Sequence, residues 1–385
     1  MTTQLLVLQA SSLCNLDCTY CYVPGRQDKA VMSEATLRAA LRLMLSRGAP
    51  GDSVRVLWHA GEPLAAGIGF YRRAAGIIRE CTPAGVNISQ TIQTNGTLIN
   101  EDWCRLFRDE RILIGLSVDG PATVHDYHRR SLDNRPTHAR TMRGAALLRQ
   151  HGIALQAVAV LTPHSLNFAD DIFDFFLDAG FESVGFNLEE TEGVHTSAFG
   201  IAGAGLGGSR ENYTRFMSRL FARWDAAGRR PWIREFESMS LAIGAFLKDH
   251  AYRRTADDLE AFRNIVVTRD GDVSTFSPEL AGGTPSDGRR FAIGNVHEIE
   301  SFADLDDSPR LRELAAEIAS GVARCRSECE YFPICGGGTA SNKFYERGTF
   351  DCAETVACAL HRKALAHVVA DGLRRRSALH LAARS

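Results

Sequence analysis

The sequence carries almost no net charge: 44 Lys and Arg stand against 46 Asp and Glu in 385 residues, a formal balance of −2. That gives no general electrostatic case for gripping nucleic acid or an anionic membrane surface, and neither partner is expected. No apolar run approaches the roughly 20 residues that a bilayer span needs. The short apolar start, Leu5–Leu8, has no basic region before it, and Ser11, Asn15 and Asp17 interrupt it too soon for a signal peptide. These absences predict a soluble, cytoplasmic protein. No internal repeat of fixed period is present. The 10 cysteines are too few for a disulfide-dense scaffold in a chain this long. They are also unevenly placed: three within Cys14–Cys21, five within Cys325–Cys358, and only Cys81 and Cys104 between. Clustered thiols in a cytosolic chain point to metal ligands.

The first half alternates β-branched runs with amphipathic stretches. Strands are predicted at Leu5–Leu8, Val54–Trp58, Asn87–Gln93, Ile112–Ser117, Leu155–Val160 and Val184–Leu188. Helical patterns lie between them at Ser33–Leu45 (with Ser33 as N-cap), Phe70–Arg79, Glu101–Arg108, His138–Gln150 and Phe168–Ala179. This alternation implies βαβ units around a parallel sheet, an α/β fold in the form of a partial (β/α)6 TIM-like barrel. Catalytic groups in such a sheet sit at the C-terminal strand ends. The Gly/Ala-rich run Gly200–Ser209 reads as a flexible loop. Helices follow from about Asn212 to Ala227 and from about Glu237 to Lys248, and a basic helix closes the chain from about Thr355 to Arg376. Cys81 and Cys104, in or beside predicted helices, read as ordinary buried thiols. The expected division is a core over 1–230, a bridging region over 231–300 and a C-terminal cysteine-bearing unit over 301–385.

After the first strand come Cys14, Cys18 and Cys21 in a C-x3-C-x2-C loop. A cubane iron–sulfur cluster is usually held by four thiolates. A loop that supplies three leaves one iron open to a substrate or cofactor. The alternative is a zinc knuckle, which would want a fourth protein ligand that the loop does not provide.

The triad, with the aromatic Tyr20 before its last cysteine, resembles the signature of the radical S-adenosylmethionine (SAM) enzymes. Other segments of that family follow in order. His59-Ala60-Gly61-Glu62-Pro63 resembles the family's G-G-E-P segment, with Ala60 in place of the first glycine; there it receives the SAM amino group. Gln93-Thr94-Asn95-Gly96 resembles the ribose-contacting segment. Ser117-Val118-Asp119-Gly120-Pro121 ends the fourth strand, and His125-Asp126-x-x-Arg129 follows. The resemblance implies that Tyr20, Gly61, Glu62, Pro63, Asn95, Ser117, Asp119 and Arg129 bind SAM, with Ser117 and Arg129 on ribose and the methionyl carboxylate. The chemistry agrees, because an Arg fork matches a carboxylate and Ser, Asn and Asp match ribose hydroxyls.

Cys325-x3-Cys329-x5-Cys335, followed by Cys352 and Cys358, resembles the SPASM extension, an auxiliary-cluster domain of peptide-modifying radical SAM enzymes. The resemblance implies that Cys325, Cys329, Cys335 and Cys358 hold one auxiliary 4Fe-4S cluster, with Cys352 as the alternative fourth ligand. The full pattern has two such clusters. Here Thr339 stands where a cysteine would serve the other one, and Gly271–Leu280 has no cysteine where the pattern has one. Structural zinc is the alternative for this group as well.

Three short strings, Phe186–Gly193, Ile233–Glu237 and Ser274–Leu280, resemble the cyclophane-forming radical SAM/SPASM peptide maturases (GrrM- and FxsB-like). That likeness implies a ribosomally made precursor peptide as substrate and an external electron donor such as a flavodoxin or ferredoxin. The implied chemistry begins with hydrogen abstraction from a side-chain Cβ by a 5′-deoxyadenosyl radical. The carbon radical then adds to an aromatic ring, a base takes the ring proton, and an electron leaves. Candidate bases are Glu189, Glu190, Glu192, Glu235 and Glu237, each of which could instead pair with an arginine such as Arg234. His195 and His297 read as polar loop residues. Thioether formation, epimerisation and sulfatase maturation to formylglycine use similar motifs, and a non-enzymatic zinc-bearing peptide-binding module is the alternative outside enzymology. Only 13 residues precede Cys14, so a leader peptide is expected to bind the core or the C-terminal unit rather than a separate recognition module.

Overall fold

The computed structural model describes residues 3–46, 49–200, 205–281, 283 and 291–382. Six parallel strands follow one another in space as they do in sequence: β1 (Thr3–Leu8), β2 (Ser53–Trp58), β3 (Asn87–Thr94), β4 (Leu113–Ser117), β5 (Gln156–Leu161) and β6 (Ser183–Leu188). Helices α1 (Glu34–Leu45), α2 (Ile68–Cys81), α3 (Glu101–Asp109), α4 (Ala122–His128), α5 (His138–Gln150) and α6 (Ala169–Asp178) make the crossovers. This singly wound order is the topology of a (β/α) barrel segment. Leu37, Ala40, Leu41 and Met44 of α1 show why its sequence is helical: they fall on one face and are all buried, while Ser33 caps the first turn by accepting from the Thr36 N–H.

The sheet continues past the sixth strand. β7 (Trp232–Ile233) pairs with β6 at one edge. At the other edge β8 (Asn264–Val267) runs parallel to β1, and β9 (Asp272–Thr275) and β10 (Gly294–Asn295) extend it antiparallel, giving a mixed sheet of 10 strands. β8 is buried along its whole length, as expected of a strand paired on both sides and covered.

One expectation is corrected between β6 and β7. Residues 201–204 of the Gly/Ala-rich run lie outside the described residues, but Gly205 already begins α7 (Gly205–Ala226), so Gly205–Ser209 is helix rather than loop. The weak propensity of its glycines is overridden by the stripe that follows, because Tyr213, Phe216, Met217, Leu220 and Trp224 are buried at helical spacing. After β7 come α8 (Arg234–Lys248), α9 (Phe302–Asp306), α10 (Pro309–Glu328), α11 (Phe332–Cys335), α12 (Ala340–Arg347) and α13 (Val356–Cys358). The expected closing helix is continuous but changes pitch, with a π-helical stretch at Ala359–Ala364 leading into α14 (Leu365–Ala382). α14 packs on α7 and α8, and one hydrophobic cluster runs from Leu6 to Val369. Among the described residues no helix is long and apolar enough to cross a membrane. All ten cysteines are free thiols, Cys104 fully buried in α3 and Cys81 half-buried at the end of α2.

Candidate active site

The loops leaving β1, β2, β3, β4 and β6 surround a cavity of about 220 Å³. Cys14, Cys18 and Cys21 line it together with Tyr20, Gly61, Glu62, Asn95, Ser117 and Arg129. Thus six of the eight residues expected at the SAM site face one space with the triad. Pro63 and Asp119 do not. Pro63 is buried and opens the 3-10 turn at Pro63–Ala66.

Asp119 sits behind Arg129. Its carboxylate accepts from Arg129 Nε (3.0 Å) and Nη2 (3.1 Å), from Tyr20 Oη (2.5 Å) and from the Val160 N–H (2.9 Å). Burial works against the charge, but Arg129, His125 and Tyr20 together outweigh it and hold the Asp119 carboxyl below its usual range. The expected SAM ligand is therefore corrected to a residue that positions one: with its acceptor sites occupied, Asp119 fixes the Arg129 fork at the cavity wall.

Glu62 is tied down in the same way. It is 1% exposed and accepts from Thr94 Oγ1 (2.6 Å) and from the N–H groups of Asn95 (2.7 Å) and Leu64 (2.9 Å). These bonds join the loop after β2 to the end of β3. Burial pushes its carboxyl upward despite them. Gly61 (φ +58°) passes so close to the cysteine loop that a Cβ would lie 2.7 Å from the backbone of Ser12 and Leu13, and the Glu62 N–H donates to Leu13 O. Ala60 adopts φ +73°, the left-handed region that a glycine would enter freely. Burial pushes the Cys14 thiol up to about 12 and Cys18 to about 11.

The acids after β6 form the opposite wall. Glu189, Glu190 and Glu192 line the cavity, and so does Glu279, which had not been singled out from the sequence. Glu189 Oε1 is 2.9 Å from His195 Nε2. Glu192 is 5% exposed, and its Oε1 has no hydrogen-bond partner among the described residues. Burial, then Glu279 and Glu190, push its carboxyl well up. Burial and the nearby Asp258 push Glu279 up to about 8. Glu279 is half-buried by area because it faces the cavity, with protein on its other sides. Tyr22 is also here, its phenol pushed well up by burial and by Glu279 and Glu192.

A second cavity, about 390 Å³, meets the first at Asn187, Leu188, Glu190, Glu192 and Glu279. Thr339, Ser341, Pro278, Arg254, Asp258 and Arg362 are among its other lining residues. Glu235 also lines it, but as a structural acid: it accepts from the Phe186 N–H (2.9 Å) and pairs with Arg234 (2.6 Å). Burial opposes its charge, yet Arg234 and His361 hold it at about 2. Glu237 is half-buried on α8 and is not a lining residue of either cavity. The expectation that these two act as bases is corrected accordingly.

The C-terminal thiols lie at the ends of one long helix and two short ones. Cys325 lies in the last turn of α10, Cys329 caps it, Cys335 ends α11 and Cys358 ends α13. Burial pushes Cys358 up to about 12, and Cys335, Cys329 and Cys325 add to it; Cys352 feels Cys325 after burial and the cations Lys343 and Arg347. Cys358 thus interacts with all three of the other thiols, and Cys352 with Cys325 alone. The Cys325 sulfur lies 3.4 Å from the buried ammonium of Lys343, 3.3 Å from Ala353 O and 3.6 Å from Gly337 O. Among the described residues no three His, Cys, Asp or Glu side chains converge as a single-ion site. Three thiols on one loop facing a cavity, and four that act on one another in the C-terminal group, fit cubane clusters in their ligand types and numbers.

Residues 8–165 match the Radical SAM superfamily. An uncharacterized protein of Synechocystis sp., sll1766, is 37% identical over 377 residues, 96% of this chain and 92% of that one. The cysteine-type anaerobic sulfatase-maturating enzyme of Clostridium perfringens (strain 13 / Type A) is 27% identical over 87% of this chain and 88% of its own. Among solved structures, native anSMEcpe with bound AdoMet and Cp18Cys peptide superposes with a TM-score of 0.78 at 21% identity, covering 98% of this chain and all (100%) of that one. Streptococcus suis SuiB bound to the precursor peptide SuiA gives 0.66 at 16% identity, over 92% and 76%. At such identities the two structures speak for the fold.

Proposed function

Since the chain belongs to the Radical SAM superfamily, we propose that it modifies a ribosomally made precursor peptide, joining two of its side chains by a carbon–carbon bond into a cyclophane. Cys14, Cys18 and Cys21 would hold the SAM-binding 4Fe-4S cluster. Cys325, Cys329, Cys335 and Cys358 would hold one auxiliary cluster in a SPASM-like unit over 301–385, beyond a core over 1–230 and a bridge over 231–300. When bound, these groups supply the one-electron cleavage of SAM that removes hydrogen from an unactivated C–H bond.

The chain's own residues do the rest. Arg129, held by Asp119 and Tyr20, offers a fork to the methionyl carboxylate. Asn95 and Ser117 offer polar atoms to the ribose, Ser117 itself held by Gln93 Nε2 at 2.9 Å. Glu62 keeps the loop after β2 against the cysteine loop. Glu279 and Glu192 form a proton-accepting pair at the junction of the two cavities. Burial and neighbouring acids, Glu279 and Glu190 for Glu192 and Asp258 and Glu190 for Glu279, destabilise their charges, which raises basicity toward the working pH.

The observation that carries the cross-linking reading is the second cavity. Thr339 and the cysteine-free turn at Pro278–Glu279 line it, so open space adjoins the site where the two-cluster pattern would place further thiols. That space gives a peptide room beside the proton acceptors. An external electron donor such as a flavodoxin or ferredoxin completes the requirement. The reading is tested by anaerobic reconstitution and incubation with an aromatic-containing peptide encoded by a short reading frame beside the gene. Loss of two hydrogens, with tandem mass spectrometry joining an aromatic residue to a nearby Cβ, is expected; an unchanged mass with SAM consumed counts against it. The second reading, sulfatase maturation, is favoured by the likeness to the Clostridium enzyme. It would instead leave an aldehyde that reacts with hydrazides.

A further inference from the structure

Lys343 lies in α12 with 2% of its surface exposed, and the one hydrogen bond of its ammonium among the described residues is to Cys325 Sγ at 3.4 Å. The space around Nζ is closed: a Cβ added at Gly321 of α10 would come within 3.0 Å of it. No carboxylate pairs with it among the described residues. The acid that responds to Lys343 is Asp351, and that carboxylate is already taken by Arg324 at 2.6 and 3.1 Å and by Ser320 at 2.9 Å. A buried, unpaired ammonium is costly unless a negative group stands beside it. Here the neighbour is a sulfur, and three more thiols, Cys329, Cys335 and Cys358, act on one another around it.

We infer that Lys343 sets the reduction potential of the auxiliary cluster. The inference rests on the proposed cluster at Cys325, Cys329, Cys335 and Cys358. Four thiolates make such a cluster net negative, and reduction adds one further negative charge. A cation hydrogen-bonded to a ligating sulfur in a dry surrounding stabilises the reduced form more than the oxidised form, so it raises the potential. Lys343 acts through Cys325 and is a positioning residue, not a catalytic one. Its charge also explains why the segment between Cys335 and Cys352 buries a lysine where an apolar side chain would fill the same volume at less cost.

The test uses the full chain with Cys14, Cys18 and Cys21 replaced by alanine, so that only the auxiliary cluster remains, followed by redox titration read by electron paramagnetic resonance. Lys343→Met and Lys343→Gln should keep the iron and sulfide content of the parent. Their midpoint should fall by at least tenfold in the reduction equilibrium, about 59 mV for one electron, while Lys343→Arg stays closer to the parent. A parent chain that binds no iron overturns the cluster reading together with this inference. Loaded neutral variants that titrate at the parent potential overturn the inference alone. If neither neutral variant loads, Lys343→Arg decides: a fall of the full tenfold despite its retained charge overturns the inference.

Discussion

Arg129 grips Asp119 with two parallel hydrogen bonds, Nε to Oδ2 at 3.0 Å and Nη2 to Oδ1 at 3.1 Å, and both side chains are buried. The pairing uses one edge of the guanidinium and leaves Arg129 among the residues that line the cavity. Lysine cannot reproduce a two-point grip on one carboxylate while offering donors to another. Arg129→Lys should weaken SAM binding roughly tenfold or more, read by equilibrium dialysis on cluster-loaded protein. Asp119→Asn should do the same and also destabilise the fold by about 3 kcal/mol, because it leaves a buried guanidinium without its counter-charge.

Glu279 imposes a pH dependence of definite sign. Its ordinary value of 4.5 is raised to about 8 in the folded chain. Between those values the folded chain keeps a proton that the unfolded chain gives up, so stability falls as pH rises through that window. Glu279→Gln cannot ionise and should flatten the decline in melting temperature from pH 5 to pH 8.5. A residual slope from Glu192, whose carboxyl is also raised, should remain. If Glu279 is the proton acceptor, the same variant also loses turnover on the peptide.

Glu235 is expected to behave in the opposite way. Held at about 2, it contributes stability above its ordinary value of 4.5 and loses that contribution as pH falls toward 2. Glu235→Ala breaks the buried pair with Arg234 and leaves the Phe186 N–H without its acceptor. A loss of about 3 kcal/mol in urea unfolding is expected. The fraction that remains folded should still release 5′-deoxyadenosine from SAM.

The two C-terminal thiols in question separate cleanly by iron analysis. Cys358→Ala should lower iron and sulfide content by about half, since one of two cubanes is lost. Cys352→Ala should leave it unchanged, because Cys358 interacts with Cys335, Cys329 and Cys325, whereas of these three Cys352 interacts with Cys325 alone.

Ala60 carries backbone strain that a single substitution relieves. At φ +73° an L-residue is disfavoured by about 1–2 kcal/mol, while glycine costs about 0.4–1 kcal/mol through the freedom it adds to the unfolded chain. Ala60→Gly should therefore stabilise the protein by about 0.5–1 kcal/mol, seen as a small rise in melting temperature.

Much of the frame was legible in the sequence because it is local. Period-two strands and 3.6-residue stripes need only their neighbours in the chain, and α1 with its Ser33 cap lies where the pattern put it. The triad and the turn residues after β2, β3 and β4 were legible because their spacing is itself the signal. What escaped was set by contacts between distant segments. Gly205–Ser209 is helical because residues eight and more positions onward are buried. β8 is a strand because β1 offers it an edge. Asp119 reads as a ligand until Arg129, Tyr20 and Val160 are seen to occupy it. Glu279 had one faint signal, an acid in the turn after the buried strand β9, inside the string Ser274–Leu280 that was read for its resemblance and its missing cysteine but not for a base. Lys343 had none, since nothing in its helix announces that its ammonium meets the sulfur of Cys325.

The pairing of Leu5 with Asn264 has a consequence for synthesis. The strand that leads into the triad keeps one bare edge until about two-thirds of the polypeptide has left the ribosome. An open parallel edge is a template for mispairing, and closing it across so long a loop is slow. A nascent chain therefore emerges with Cys14, Cys18 and Cys21 hanging from an unfinished sheet. The loop that carries those three thiols reaches its final setting only when the segment around Asn264–Val267 has docked.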